Sequence, residues 1–332
     1  MWFKNLRLFC LAQPFELSVK DFEAALADSA FVPCSSYEKE RIGWVAPLGD
    51  AAPEFEPEEG EDAGDTDAPA PMLTHVVGDY IMICAQKQDR LLPASVVREA
   101  TAEKIADIEQ RQARKVYRKE KREIQEDMYA SLLPRAFTRS AKIYAYISRR
   151  DNLLVIDSSS APKAEEFLNL LRDTLGSFPV ALPEAKIAPH AVMTRWLKEG
   201  KATDEFELTD DCELFNPLDG TNVVRLKGQD LGGEEIEAHL EAGKLARHVG
   251  VLWNNQVNAI IADDLGIKRL RFENVREESD SYEDETPAQK FDQEFALMTL
   301  ELSGFFKSLF NAVGGLEDPK TKLLPDNRNR DD

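Results

Sequence analysis

Twelve lysines and arginines fall between Arg111 and Arg150, against four acids, Glu120, Glu123, Glu126 and Asp127. That stretch carries +8 in a chain whose net charge is −20, so the remaining residues together carry −28. An acidic protein repels polyanions unless its positive charge is gathered in one place. Gathered Lys and Arg displace the counterions around nucleic acid whatever the rest of the chain carries. Arg111, Arg114, Lys115, Arg118, Lys119 and Arg122 recur at i, i+3, i+4, i+7, i+8 and i+11. On one helix that spacing builds a single cationic stripe. The stripe either meets several phosphates at once or is a solvated face balanced by Glu109, Glu120 and Glu123; local sequence leaves both readings open.

Two further segments have chemistry to offer. In Leu132-Leu133-Pro134-Arg135-Ala136-Phe137, Phe137 is either a core residue behind a helix stop or, flanked by Arg135 and Arg139, a contact for another subunit or a base. In Val223–Gln229, alternation puts Arg225 and Lys227 on one strand face and Val224 and Leu226 on the other. The two cations make a second basic site or protect a sheet edge.

Enzymatic signatures are thin. There is no phosphate-loop, dinucleotide, zinc-protease or nucleophile-elbow motif. His75, His190, His239 and His248 do not cluster at ligand spacing. Asp157 with Glu184 and Lys186 imitates the acid–acid–lysine set of a magnesium nuclease, but such a triplet is cheap. Cys10, Cys34, Cys84 and Cys212 lie far apart, giving neither a zinc signature nor a disulfide framework and fitting a reducing compartment.

The elements that must position these residues read as α+β. Strands are predicted at Leu6–Leu11, Leu73–Val77, Tyr80–Ala85, Lys142–Ile147, Leu153–Asp157, Glu205–Leu208, Val223–Lys227, Ala246–Trp253, Val257–Ala262 and Ile267–Phe272. Ser18 and Asp21 open a helix that turns Phe22 and Leu26 inward. From Ser95 to about Leu132 neither Pro nor Gly interrupts, so a long helix is predicted that either bridges subdomains or breaks somewhere, with Pro134 ending it. Further helices run from Pro162 to Gly176, Ala191 to Glu199 and Glu234 to Ala242. The last carries Phe291, Phe295, Met298, Leu302, Phe305, Leu309 and Val313 on one stripe, as core or subunit interface.

Length sets two or three folding units: residues 1–140, 141–230 and 231–316, followed by a tail, 317–332, predicted to be disordered. Asp50–Pro71 holds nine acids, four prolines and no basic residue, and Glu273–Glu285 is again acidic; both read as loose. Met1–Phe15, broken by Lys4, Asn5 and Arg7, reads as a strand rather than a signal peptide. No run has the length of a membrane span, so a soluble cytoplasmic protein is expected.

Several blocks are similar to a known family. Met1–Leu6, Gly43–Gly49, Gln112–Lys115, Leu132–Phe137, Gln229–Leu231 and Lys268–Phe272 resemble, in order, the RdgC family of bacterial recombination-associated proteins. The resemblance implies a non-enzymatic, nucleoid-associated protein without a cofactor, built as an elongated monomer with tip, centre and base. It implies a ring-shaped homodimer around DNA that binds single and double strands with little sequence preference and restrains the RecA recombinase. Arg114, Lys115, Lys227 and Gln229 match DNA-facing positions, and Phe137 matches the aromatic of a subunit contact. Gly228 departs from a position usually basic, and the acidic loop is longer than usual. The rivals are an acidic protein-interaction regulator and a metal-dependent nuclease.

Overall fold

The computed structural model describes residues 2–55, 70–273 and 286–324. Fourteen strands among them are β1 Leu6–Leu11, β2 Glu40–Val45, β3 Glu54–Phe55, β4 Ala70–Pro71, β5 Thr74–Val77, β6 Tyr80–Leu91, β7 Phe137–Ser148, β8 Leu153–Asp157, β9 Val180–Ala181, β10 Phe206–Asn216, β11 Asp219–Leu226, β12 Leu245–Trp253, β13 Val257–Ala262 and β14 Ile267–Phe272. The helices are α1 Val19–Asp28, α2 Ala94–Gln112, α3 Arg118–Leu132, α4 Ala161–Leu175, α5 Pro189–Glu199, α6 Glu234–Glu241 and α7 Pro287–Ala312. This is an α+β fold around one large antiparallel sheet, ordered β11-β10-β12-β13-β14-β1-β8-β7-β6-β2, with β5 on β6 and β9 on β1.

Period-two alternation explains why the central strands are apolar throughout. Leu6, Leu8 and Cys10 of β1, Tyr80 and Met82 of β6, and Leu153 and Val155 of β8 face one core, which α5, α6 and α7 cover. Phe9 and Leu11, Ile81 and Ile83, and Leu154 and Ile156 face the other, covered by α1 and α4. A sheet buried on both faces needs hydrophobic residues at every position. The α7 stripe belongs to the first core: Phe295, Met298, Leu302, Phe305, Leu309 and Val313 are all buried there, so it is not a subunit interface.

The sheet has a seam. β1 and β14 share a single register pair, Leu6 with Ile267, whereas β12–β13 and β6–β7 pair along their length. Strands β10–β14 therefore form one bank and β1 with β2 and β5–β9 the other, bridged by the first core.

The predicted helix over 95–132 is two helices. α2 ends at Gln112, Ala113 takes a left-handed conformation (φ 48°), and α3 starts at Arg118. A left-handed alanine costs about 1–2 kcal/mol. Offsetting it, Val116 is buried in the turn and donates its N–H to Glu109 Oε1 at 2.9 Å, and α2 packs along α3. The pair is an αα-hairpin inserted between β6 and β7.

Two other expectations change. Glu54–Phe55 and Ala70–Pro71 pair as a small ladder at the ends of the acidic loop, whose interior lies outside the described residues, as does the acidic stretch 274–285. The tail predicted to be disordered is ordered to Leu324, whose N–H donates to the Val180 carbonyl at 2.9 Å, while a bridge joins Leu316 to Ala185. Residues 325–332 lie outside the described part. Among the described residues no helix is long and apolar enough to cross a membrane.

Candidate nucleic-acid interface

The single cationic stripe does not exist as predicted, because the helix that would carry it turns back on itself. Arg111 sits in the last turn of α2, Arg114 and Lys115 in the link, and Arg118, Lys119 and Arg122 on α3. The turn gathers the middle four instead. Arg114 is committed within it: its Nη1 and Nη2 donate to the two Glu120 carboxylate oxygens at 2.7 and 2.5 Å, and its Nε to Gln112 at 2.7 Å. That bond holds the Glu120 carboxyl below its usual range. Arg111 pairs with Asp107 at 2.8 Å and Arg122 with Glu126 at 3.2 Å. Lys115, Arg118, Lys119 and Lys121 are exposed and, among the described residues, form no ion pair. These four are the turn's uncommitted charge.

Phe137 starts β7 and is 85% exposed, so it is not a core residue. It lies directly across from Leu91, itself 48% exposed, the last pair of the long β6–β7 ladder. Arg90 fixes this end. Its Nη1 reaches the carbonyls of Leu133 and Ala136 at 3.4 and 3.2 Å, while Nη2 donates to the Ser35 carbonyl at 3.0 Å. Arg135 and Arg139 stay exposed beside Phe137. An apolar pair on a pinned strand end, ringed by arginine, has the anatomy of a contact site.

The second basic segment lies at the opposite edge of the sheet, where β11 is the outermost strand. Arg225 is at the end of β11, Lys227 just past it, and Gln229 follows Gly228 (φ +63°). Gln229 is exposed and its N–H donates to the Asp210 carbonyl at 3.2 Å. Arg225 and Lys227 line a cavity of about 250 Å³ with Asp211, Glu213, His248, Lys268 and Arg269. Arg225 donates to Glu213 at 2.7 Å and Arg269 to Asp211 at 2.6 Å. Burial alone would raise the Glu213 carboxyl, but Arg225, His248 and Arg247 hold it below its usual range. Edge protection is thus met by Arg225, whereas Lys227 remains exposed without an ion pair among the described residues.

Two bulges build this cavity. Between Asn258–Arg271 and Ile260–Lys268, β14 carries one residue more than β13, and Arg269 takes φ +51° there. A bulge re-aims side chains, and Arg269 meets Asp211. On β10, residues 209–211 have no counterpart on β12 and arch over Gly250. A Cβ at Gly250 would collide with Thr209 Oγ1 and sit 3.2 Å from the Asp211 carbonyl oxygen, so glycine is required. Sequence reading named Lys268 and Arg269 only within a family block. The missing signal is tertiary: neither bulge has a local signature.

His248 rests 2.9 Å from Lys268 Nζ through Nε2. Burial first, then Lys268, push its pKa below the usual 6.5. A base whose folded pKa lies below its unfolded one costs stability as pH falls from the unfolded value through the folded one; above about 6.5 the cost vanishes. His248→Gln should therefore flatten the loss of stability below pH 6.5 by up to about 1.4 kcal/mol per pH unit. Urea unfolding at pH 7.5 and 5.5 checks this; equal slopes for variant and parent would show that His248 is not the group responsible.

Nucleophilic or metal chemistry finds no assembled set here. Burial pushes the thiols of Cys10, Cys84 and Cys212 up to about 11, 12 and 11. Asp157 accepts the N–H groups of Lys4 and Asn5 at 3.0 and 2.9 Å, and Glu184 pairs with Lys322 at 2.5 Å. Among the described residues no three His, Cys, Asp or Glu gather where they could hold a metal ion.

Comparison with known proteins identifies the family. A family model described as "Putative exonuclease, RdgC" matches residues 1–61 and 65–316. The recombination-associated protein RdgC of Aeromonas hydrophila is 41% identical over 318 residues, covering 96% of this chain and 99% of that protein. The proteins of the same name from Pseudomonas putida strain GB-1 and Pseudomonas aeruginosa strain PAO1 are 40% and 39% identical over 321 residues, with the same coverage. Identity of this order along nearly the whole length places the chain in the RdgC family of recombination-associated proteins.

Proposed function

We propose that this chain is a sequence-nonspecific DNA-binding protein that acts in recombination without catalysing a reaction. The observation that carries the reading is the segregation of charge. Four uncommitted cations sit on the α2–α3 turn, and Lys227 sits beside a cation-lined cavity, in a chain of net charge −20. Lys and Arg meet phosphates, which carry no sequence information, so such contacts position DNA without reading it. Acidic surface elsewhere discourages other modes of binding.

In this reading two protomers close a ring through the Phe137–Leu91 strand end, with residues 1–140 as tip, 141–230 as centre and 231–316 as base. The ring holds single- or double-stranded DNA against Lys115, Arg118, Lys119 and Lys121, in a turn that Arg114 braces through Glu120, and against Lys227 and Gln229. DNA so occupied is withheld from a RecA filament, and the protein works in the cytoplasm on the nucleoid. The description of the family model names an exonuclease; the commitments of Asp157 and Glu184 favour the binding reading over that one.

Gel shifts with two duplexes of unrelated sequence test the proposal, alongside linearised and closed circular plasmid incubated with protein and magnesium. Equal, salt-sensitive shifts with neither plasmid form degraded are expected. Shortening of the linear form from its ends would establish the exonuclease reading, and absence of any shift would leave the acidic-regulator reading.

A further inference from the structure

We propose that Tyr117 is a stacking platform for an unpaired base, so that the α2–α3 turn distinguishes single-stranded from duplex DNA. The proposal rests on the DNA-binding reading and specifies what one part of that surface recognises. Tyr117 is 76% exposed, whereas its neighbour Val116 is buried, so the chain anchors one side chain and presents the next. The backbone beneath the ring is fixed. Tyr117 is the N-cap of α3 (φ −93°, ψ 170°), and its carbonyl accepts the Lys121 N–H at 2.9 Å. The Glu109 carboxylate holds the Val116 N–H, and the Arg114–Glu120 pair spans the turn. Only the two side-chain torsions of the ring remain free.

The surroundings select the ligand. Lys115 before it and Arg118 and Lys119 after it in the chain are exposed and unpaired among the described residues, so cations lie within two residues of Tyr117 in both directions, within reach of the phosphates that flank a nucleotide. Tyr37 is exposed to a similar degree (82%), but Lys39 and Arg41 beside it alternate with Glu38 and Glu40, Arg41 pairs with Glu38, and no cation precedes the ring within ten residues. A duplex hides the faces of its bases within the stack, whereas a single strand offers them to an aromatic side chain. The cations serve both kinds of DNA; the ring serves one.

Anisotropy titrations with a single-stranded oligonucleotide and a blunt duplex of equal length test the assignment. Tyr117→Ala removes no side-chain cap, since Tyr117 makes none, so the fold is not at issue. Single-strand affinity should fall roughly 5- to 150-fold, the range for one base–aromatic stack, with duplex affinity within about twofold of the parent. Tyr117→Phe and Tyr117→Trp should retain single-strand binding, and 2-aminopurine in the oligonucleotide should be quenched by parent and Tyr117→Phe but not by Tyr117→Ala. Equal losses on both DNAs, or no loss on either while the parent binds, would overturn the stacking role alone. A parent that binds neither DNA would overturn the DNA-binding reading with it.

Discussion

Replacing Lys115, Arg118 and Lys119 together by alanine should cut the salt dependence of duplex binding by about 2.7 in the log–log slope. Each phosphate contact releases counterions worth about 0.9 in slope. The same relation makes the loss up to roughly 500-fold in affinity at 0.1 M salt. The effect should be the same for every duplex sequence, because only backbone contacts are lost. Arg114 is left out on purpose. Its guanidinium already satisfies both oxygens of Glu120, so Arg114→Ala should loosen the turn more than it removes a phosphate contact. Anisotropy over a salt series checks both, and an unchanged slope in the triple variant would show these cations to be merely solvated.

The second large effect separates two phenylalanines that sequence treats alike. Phe305 is wholly buried and packs edge-on to Phe206 and Trp253 with ring centroids at 5.5 and 6.0 Å. Phe305→Ala should cost about 3–5 kcal/mol of stability through lost transfer energy and the cavity left behind. Phe137 is 85% exposed and leaves no cavity, so Phe137→Ala should alter monomer stability by about 0.5 kcal/mol or less. It should instead weaken self-association. Denaturant midpoints and sedimentation velocity on both variants give the comparison. If Phe137→Ala unfolds as readily as Phe305→Ala, the exposed strand end is misassigned.

Much of the scaffold was legible where one signal sufficed. β1, β8, β13 and β14 have the bounds predicted for them, and in β1 and β8 alternate residues enter the two cores, so an apolar run marks each strand. α4 stops at Gly176 (φ 72°) and α5 at Gly200 (φ 61°), as glycine C-caps indicate. The site was less legible. β7 starts at Phe137, five residues before the predicted Lys142, because Thr138–Lys142 lacks alternation and owes its strand form to pairing with Gln86–Arg90 of β6. β2 was missed since Gly43 interrupts it. A Cβ there would lie 2.6 Å from Phe31 Cα, so the glycine serves a close approach rather than a turn. The break at Ala113 is held by Glu109, Val116 and packing between α2 and α3, none of it visible to helix propensity. The charge of the basic stretch was readable, but its arrangement was not.

DNA should meet this protein at two basic places and nowhere on its acidic remainder. Lysine acetylation footprinting read by mass spectrometry tests this directly, since Lys115, Lys119, Lys163, Lys198 and Lys227 are all exposed in the free protein. Saturating duplex of arbitrary sequence should protect Lys115, Lys119 and Lys227 while Lys163 of α4 and Lys198 of α5 react as before. Protection spread evenly over all five, or confined to Lys163 and Lys198, would contradict the account.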